Sequence, residues 1–244
     1  SPINRIILHF TFLITCMIPL YSIKTDVIFA SEPNLFAIIP AYFYSKLKNS
    51  DVIRVVDDLW PEAIYEIGYV KSGILKKILD KLAKFSYNYP KFILPLTEDI
   101  KNIIQETYSI KKEKIIILEH GVDTKIFQYK QKERKENFVL MYSGSIVKQY
   151  DFDIIFEAAK KLQHKKIKFI IRGKGTLVSE LINKKNQMNL KNIEIDTDLV
   201  PYEKISEALS IADVFLVPIK NKMTFNVGLP TKILEYQAIG RPII

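Results

Sequence analysis

The chain has 244 residues, 48% of them hydrophobic and 26% charged, a composition that describes a folded globular protein and excludes a disordered one. The single cysteine, Cys16, excludes an intrachain disulfide and fits a reducing, cytoplasmic compartment; the three histidines, His9, His120 and His164, lack metal-ligand spacing, so no metal site is expected. The net charge of +9 comes mostly from lysines spread along the chain, which reads as solvated faces, with an anionic membrane surface as the alternative and no nucleic acid.

Residues 6–18 are an apolar run. It is shorter than the ~20 residues a spanning helix needs, it precedes Pro19, and no small-residue cleavage site follows. A helix packed on a sheet, with one face on the inner side of the plasma membrane, is the expectation. The chain opens on Ser1-Pro2, without methionine, and reads as a fragment or a processed product.

Strands are predicted at 26–30, 51–56, 92–96 and 114–118, with helices between them at 34–47, 72–87 and 98–108. Pro40 is expected to kink the first helix. The second places Leu75, Ile78, Leu79, Leu82 and Phe85 on one face. Gly121 is expected to supply a positive φ, with Asp123 capping a turn. Residues 128–137 are polar and lysine-rich, with no apolar residue except Tyr129, and read as a linker.

The alternation then restarts. Strands are predicted at 138–143, 167–172, 193–195 and 213–218, and helices at 151–163, from 177 and at 202–211; Ile155, Ala158, Ala159 and Leu162 form a buried stripe. Strands alternating with helices imply parallel sheets covered on both faces, hence an α/β protein of two Rossmann-like domains facing across a cleft, at 1–127 and 138–244.

In open parallel sheets ligands bind beyond the carboxyl ends of the strands. Ser143-Gly144-Ser145-Ile146-Val147-Lys148 follows one such end: Gly144 admits a close backbone approach and Lys148 can place a charge on a phosphate, although an ordinary turn is an equal reading. Gly173-Lys174-Gly175 follows the next, where Val178 stands in place of a third fingerprint glycine, and a plain tight turn accounts for it as well. In the first half, Asp57-Asp58-Leu59-Trp60-Pro61-Glu62 puts two carboxylates and the only tryptophan at a strand end. A carboxylate there suits a hydroxyl's proton and an indole suits a sugar ring; helix capping is the alternative. Last comes Gly228-Leu229-Pro230-Thr231-Lys232-Ile233-Leu234-Glu235-Tyr236, a helix start with free N–H groups, a threonine and a lysine for a phosphate and a carboxylate one turn on for sugar or ribose hydroxyls; Gly240 ends this helix and a strand begins at Pro242.

Taken in order, Glu119-His120-Gly121-Val122-Asp123 with Phe127, the 143–148 and 173–175 turns, Ala212-Asp213-Val214-Phe215-Leu216-Val217-Pro218, and Pro230 to Tyr236 with Ala238, Gly240 and Pro242 resemble the retaining family 4 glycosyltransferases of the GT-B fold. Asp58 to Glu62 and the early apolar run resemble the branch that builds bacterial and archaeal surface polysaccharides and cell walls. The resemblance implies a UDP- or GDP-sugar donor in the second domain, with Gly144, Ser145, Lys148, Gly173, Thr231, Lys232 and Glu235 on the donor side and Glu235 on its ribose. It implies a glycan or lipid-linked acceptor in the first; the residues themselves suggest Asp57 and Trp60 for the acceptor side and Asp58, with Glu235, for the catalytic pair. It further implies transfer of a hexose with retention, by same-face attack assisted by the leaving group, and no cofactor or obligatory metal. Three departures stand out: Val227 where the family's first glutamate falls, Ser145 where a basic residue is frequent, and Asp57-Asp58 where a histidine is frequent. Relative to that family the chain is expected to be truncated at both ends. A sugar-nucleotide epimerase of the same fold, and a non-catalytic membrane- or glycan-binding relative, are the competing readings.

Overall fold

The computed structural model describes residues 2–31, 35–66, 68–130 and 136–244, with the side chains of residues 2–10 and 21 outside that description. Asn34 of the predicted first helix and residues 131–135 of the predicted linker therefore lie outside the described residues. In chain order the first elements are α1 (Pro2–Ser22), β1 (Val27–Ser31), α2 (Ile38–Lys48), β2 (Asp51–Val56), α3 (Glu62–Glu66), α4 (Ile74–Asn88), β3 (Phe92–Pro95) and α5 (Glu98–Tyr108). Then come β4 (Phe138–Ser143), α6 (Phe152–Leu162), β5 (Ile167–Arg172), α7 (Val178–Gln187), β6 (Ile193–Asp196), α8 (Ile205–Ser210), β7 (Val214–Phe215), α9 (Met223–Asn226) and α10 (Thr231–Ile239).

These elements divide into two compact units, residues 1–119 with 222–229 and residues 120–221 with 230–244. The chain leaves the first unit ahead of the polar 128–137 segment because Val122, Ile126 and Phe127 already pack with the second unit's core.

The first unit is built on a parallel sheet of order β1-β2-β3, with Val27 opposite Asp51 and Ile53 opposite Phe92. Helical crossovers are what parallel neighbours require, and α2 and α4 supply them. Residues 114–118 run on beside β3: Ile116 N–H donates to Ile93 O at 3.0 Å and Leu118 N–H to Pro95 O at 3.0 Å. Thr97 caps α5, its hydroxyl accepting from Ile100 N–H at 3.2 Å. Val56, Leu59, Ala83, Tyr87, Ile93, Ile100 and Ile104 close the core.

Four local expectations need correction. Pro40 lies in the first turn of α2, where no intrahelical N–H bond is lost, so a 3-10 turn at Leu35–Ala37 leads into the helix and the proline breaks nothing. The buried face of α4 is Leu79, Ala83, Ser86 and Tyr87, while Leu75 and Ile78 are exposed. The apolar stripe thus overran the stretch of helix that the sheet covers. Gly121 does not have a positive φ, although Asp123 does close its turn through Lys125 N–H at 2.8 Å. Finally, α1 packs mainly on α2 and the 35–37 turn, because α2 already covers Ala30 and Val52 of the sheet. Its outer side leaves Ile14 66% and Ile18 71% exposed, and no helix of the described residues is long and apolar enough to cross a membrane.

The second unit holds a parallel sheet of order β6-β5-β4-β7. Residues 242–244 extend it past β7, with Val217 N–H donating to Ile244 O at 2.8 Å. One face packs Phe152, Ile155, Phe156 and Ala159 of α6 with Leu181 of α7; the other packs Leu209 of α8 with Tyr236 and Ile239 of α10. Ala158 and Leu162 of the predicted stripe are half-buried at its margin.

Arg172 and Asp196 tie β5 to β6 at 2.7 Å, both side chains largely enclosed, and Arg172 Nη1 also donates to Ala208 O at 2.9 Å. Burial alone would raise the Asp196 carboxyl, but the Asp198 N–H and the guanidinium outweigh it and hold it below the usual carboxylate range. A depressed carboxyl stabilises the fold above its unfolded pKa of about 3.9, and that contribution disappears as pH falls through the lower folded value. Asp196→Asn is expected to cost about 1–3 kcal/mol in urea unfolding at neutral pH and to flatten the acid limb of the stability curve.

Candidate functional site

At the carboxyl end of β4 the chain turns at Gly144 and Ser145, and at the end of β5 it turns at Gly173. The two turns pack backbone on backbone. Gly173 has φ +142, and a Cβ there would lie 1.8 Å from Gly144 O. Gly144 has φ +149, and a Cβ there would lie 2.6 Å from Lys232 Nζ. At Gly173 the obstruction is backbone, which cannot move aside; at Gly144 it is the end of the Lys232 side chain, and the positive φ is what favours glycine there. Bonds from Gly144 N–H to Arg172 O (2.9 Å), from Ile146 N–H to Lys174 O (2.8 Å) and from Gly173 N–H to Asp196 O (2.8 Å) fix the pair of turns.

Helix α10 begins beside this turn. Pro230 precedes Thr231 and no side chain among the described residues caps the helix, so its first turn keeps donors for an anion. Thr231 is exposed at that start, and Ser145 and Lys148 are exposed on the β4 side. Lys232 points inward. It is only 8% exposed, its ammonium donates to Tyr142 Oη at 2.8 Å, and it lies 4.3 Å from the Tyr142 ring centroid and 3.9 Å from that of Tyr150. Burial pulls the ammonium down to about 8, against the charge of Glu235, which raises it. Glu235 is half-buried one turn further along; burial pushes its carboxyl up and the Lys232 charge opposes that.

Three tyrosines that sequence reasoning passed over complete this arrangement. Tyr142 Oη donates to Ser145 O at 2.6 Å. Tyr236 Oη donates to Ser143 O at 2.8 Å and accepts from Ser143 N–H at 2.9 Å, with its ring stacked on Phe215 at 3.8 Å. Tyr150 closes the cage around the ammonium. The available signal was a tyrosine two residues before Gly144 and another directly after Glu235, inside the 230–236 motif; no spacing ties either to the lysine.

In the first unit, Asp57, Asp58 and Trp60 sit just past the end of β2, as the strand assignment requires. Asp58 is exposed and Trp60 half-buried, with its Nε1 enclosed and without a hydrogen-bond partner among the described residues. Gly228 lies close to Asp58, a Cβ on it falling 3.8 Å from Asp58 Oδ1. The 222–229 segment reaches this unit through Glu66, whose carboxylate accepts from Met223 N–H (2.8 Å), Thr224 N–H (2.9 Å) and Thr224 Oγ1 (2.5 Å). Burial would raise the Glu66 carboxyl, but these bonds and Lys222 hold it down. Val227 packs against the first unit's core and its carbonyl accepts from Thr97 Oγ1 at 2.7 Å. At the position of the family's first glutamate, then, this chain has a packing residue.

Two α/β units on parallel sheets, the second with a glycine turn and an uncapped helix start at its strand ends, define a protein of the GT-B fold. The chain belongs to the family described as glycosyl transferases group 1, whose model matches residues 123–244. It is 22% identical over 200 residues to the glycosyltransferase TuaH of Bacillus subtilis, named for teichuronic acid biosynthesis, covering 79% of this chain and 49% of that protein. It is 23% identical over 249 residues to the chitobiosyldiphosphodolichol beta-mannosyltransferase of Debaryomyces hansenii, covering 89% of this chain and 52% of the relative. Among solved structures, Anabaena Alr3699/HepE in complex with UDP and glucose superposes with a TM-score of 0.70 at 12% identity, over 97% of this chain and 61% of that one. The chain spans about half the length of the curated relatives it matches.

Proposed function

We propose that this polypeptide is the framework of a glycosyltransferase that moves a hexose-type sugar from a UDP- or GDP-sugar to a hydroxyl of a glycan or lipid-linked acceptor, with retention of anomeric configuration. The observation that carries the reading is the uncapped start of α10, bearing Thr231 and Glu235, beside the Gly144–Ser145 turn, inside the residues that the family model matches. The donor diphosphate takes the N–H groups of the helix start with Lys148 and Thr231; Glu235 accepts from ribose hydroxyls. Asp57, Asp58 and Trp60 serve the acceptor side.

In the reaction the acceptor oxygen bonds to the anomeric carbon as the bond from that carbon to the diphosphate oxygen breaks. The electron pair leaves with the diphosphate. The hydroxyl proton passes to a diphosphate oxygen on the same face. Cationic side chains and helix N–H groups stabilise the leaving charge, so the reaction has no obligatory metal. The exposed Phe12, Ile14 and Ile18 of α1, with the basic balance of the chain, suit peripheral attachment to an anionic membrane on the cytoplasmic side.

The test is transfer from UDP- and GDP-hexoses by the polypeptide of the complete reading frame, with product analysis. Glycosylated acceptor plus nucleoside diphosphate is the expected result. Free nucleotide with an altered sugar and no acceptor dependence would instead indicate an epimerase. Flotation with anionic liposomes should fall when Ile14 and Ile18 are both replaced by Asp, and unchanged flotation of the folded variant would remove α1 as the contact.

A further inference from the structure

With a donor diphosphate held against the Gly144–Ser145 turn and the start of α10, a reading on which the role of Lys232 depends, the lysine of that helix start is turned inward, away from the exposed Thr231. An ammonium has three protons and no acceptor. One proton goes to Tyr142 Oη at 2.8 Å, and the remaining charge faces the rings of Tyr142 and Tyr150. At 8% exposure little of the side chain is left for a ligand.

The phenol that receives this proton uses its own on Ser145 O, at 2.6 Å. A directed line therefore runs from ammonium to phenol to the Ser145 carbonyl, and each bond polarises the next. The rest of the turn is equally fixed. Ser143 exchanges two bonds with Tyr236 Oη, Gly144 N–H is held by Arg172 O, and Ile146 N–H by Lys174 O. Of the four N–H groups from 143 to 146, the one at Ser145 has no partner among the described residues. With the turn fixed in this way, the Ser145 N–H is the donor it keeps for an anion, beside the uncapped start of α10.

We propose that Lys232 is a positioning residue, which holds the Gly144–Ser145 turn in its anion-binding shape through Tyr142 and does not itself bind the donor phosphates. Gly144 belongs to the same device, because a side chain there would meet the ammonium. Around Lys232 the titratable groups are Glu235 on its own helix, Tyr142 on β4 and Tyr150 beyond it, with Tyr236 acting on Tyr142. Burial pushes Tyr142 and Tyr236 up and pulls the ammonium down to about 8, so the ammonium loses its proton between about pH 7 and 9.

The experiment is calorimetric titration of the complete polypeptide with UDP and with GDP at pH 7 and 9. Tyr142→Phe and Lys232→Met are each expected to weaken binding about tenfold at neutral pH, and the double variant no further, since both cut one line. Wild-type affinity should fall toward pH 9 as the ammonium loses its proton, and both variants should lack that fall. Should Lys232→Met fail to fold, Tyr142→Phe removes a single oxygen and carries the test alone. Wild-type affinity and pH dependence in Tyr142→Phe would overturn the proposal in favour of direct phosphate contact, as would additive losses in the double variant. Absence of nucleotide binding by the wild type would overturn the donor reading itself, and this proposal with it.

Discussion

Replacing Glu235 by Gln in the complete polypeptide is expected to lower kcat/KM for the nucleotide-sugar by about a hundredfold, close to ~3 kcal/mol of transition-state stabilisation, with little change in thermal midpoint. The shape of the side chain survives, and an amide oxygen can still accept one hydrogen bond. What is lost, on the proposed donor reading, is the charge that would strengthen bonds from two neighbouring hydroxyls. Glu235 is half-buried, and burial already pushes its carboxyl up, so the site holds an anion where solvent screens it poorly. The same substitution removes the charge that supports the Lys232 ammonium, so that ammonium should deprotonate at a lower pH than its present value of about 8. Initial rates over a range of donor concentrations and pH separate the two effects. Undiminished kcat/KM would remove Glu235 from the donor site.

The second large effect is structural. Gly173→Ala should destabilise the second unit by about 3 kcal/mol or more in urea unfolding and weaken nucleotide binding in parallel. The added carbon would fall 1.8 Å from Gly144 O and 2.8 Å from Gly144 C, and these are backbone atoms that no rotamer change can move aside. The φ of +142 adds strain of its own. Gly121→Ala is the control: nothing lies within 4 Å of a Cβ there, and alanine should be neutral or slightly stabilising. Equal stability of the two variants would contradict the packing of the β4 and β5 turns.

Most strands and the order of helices were legible in the sequence because each rests on a local pattern. β2, β4 and β5 fall where apolar runs end in glycine or aspartate. The candidate residues past β2, β4 and β5 followed from the rule that ligands bind beyond strand ends. Direction was not legible. Lys232 stands where the sequence suggests a phosphate ligand, yet its ammonium faces two aromatic rings, and both belong to a distant part of the chain, at and just beyond β4. The exposed Leu75 and Ile78 failed for a related reason: helical spacing marks a face but not how much of it a sheet will cover. Glu66 gave no signal at all, since its partners at 223 and 224 are fixed only by tertiary folding.

The pairing of Glu66 with residues 223 and 224 bears on how such a protein can be recombined. The chain passes between its two units at 119/120, 221/222 and 229/230, so neither unit is one continuous stretch. A chimera joined by a single cut at residue 120 would take residues 222–229 from the wrong parent, leaving Glu66 and Thr97 to meet foreign partners. Exchange of second units between relatives should succeed only when residues 222–229 travel with the first unit. A short strip of sequence inside the family match thereby belongs, by its packing, to the other unit.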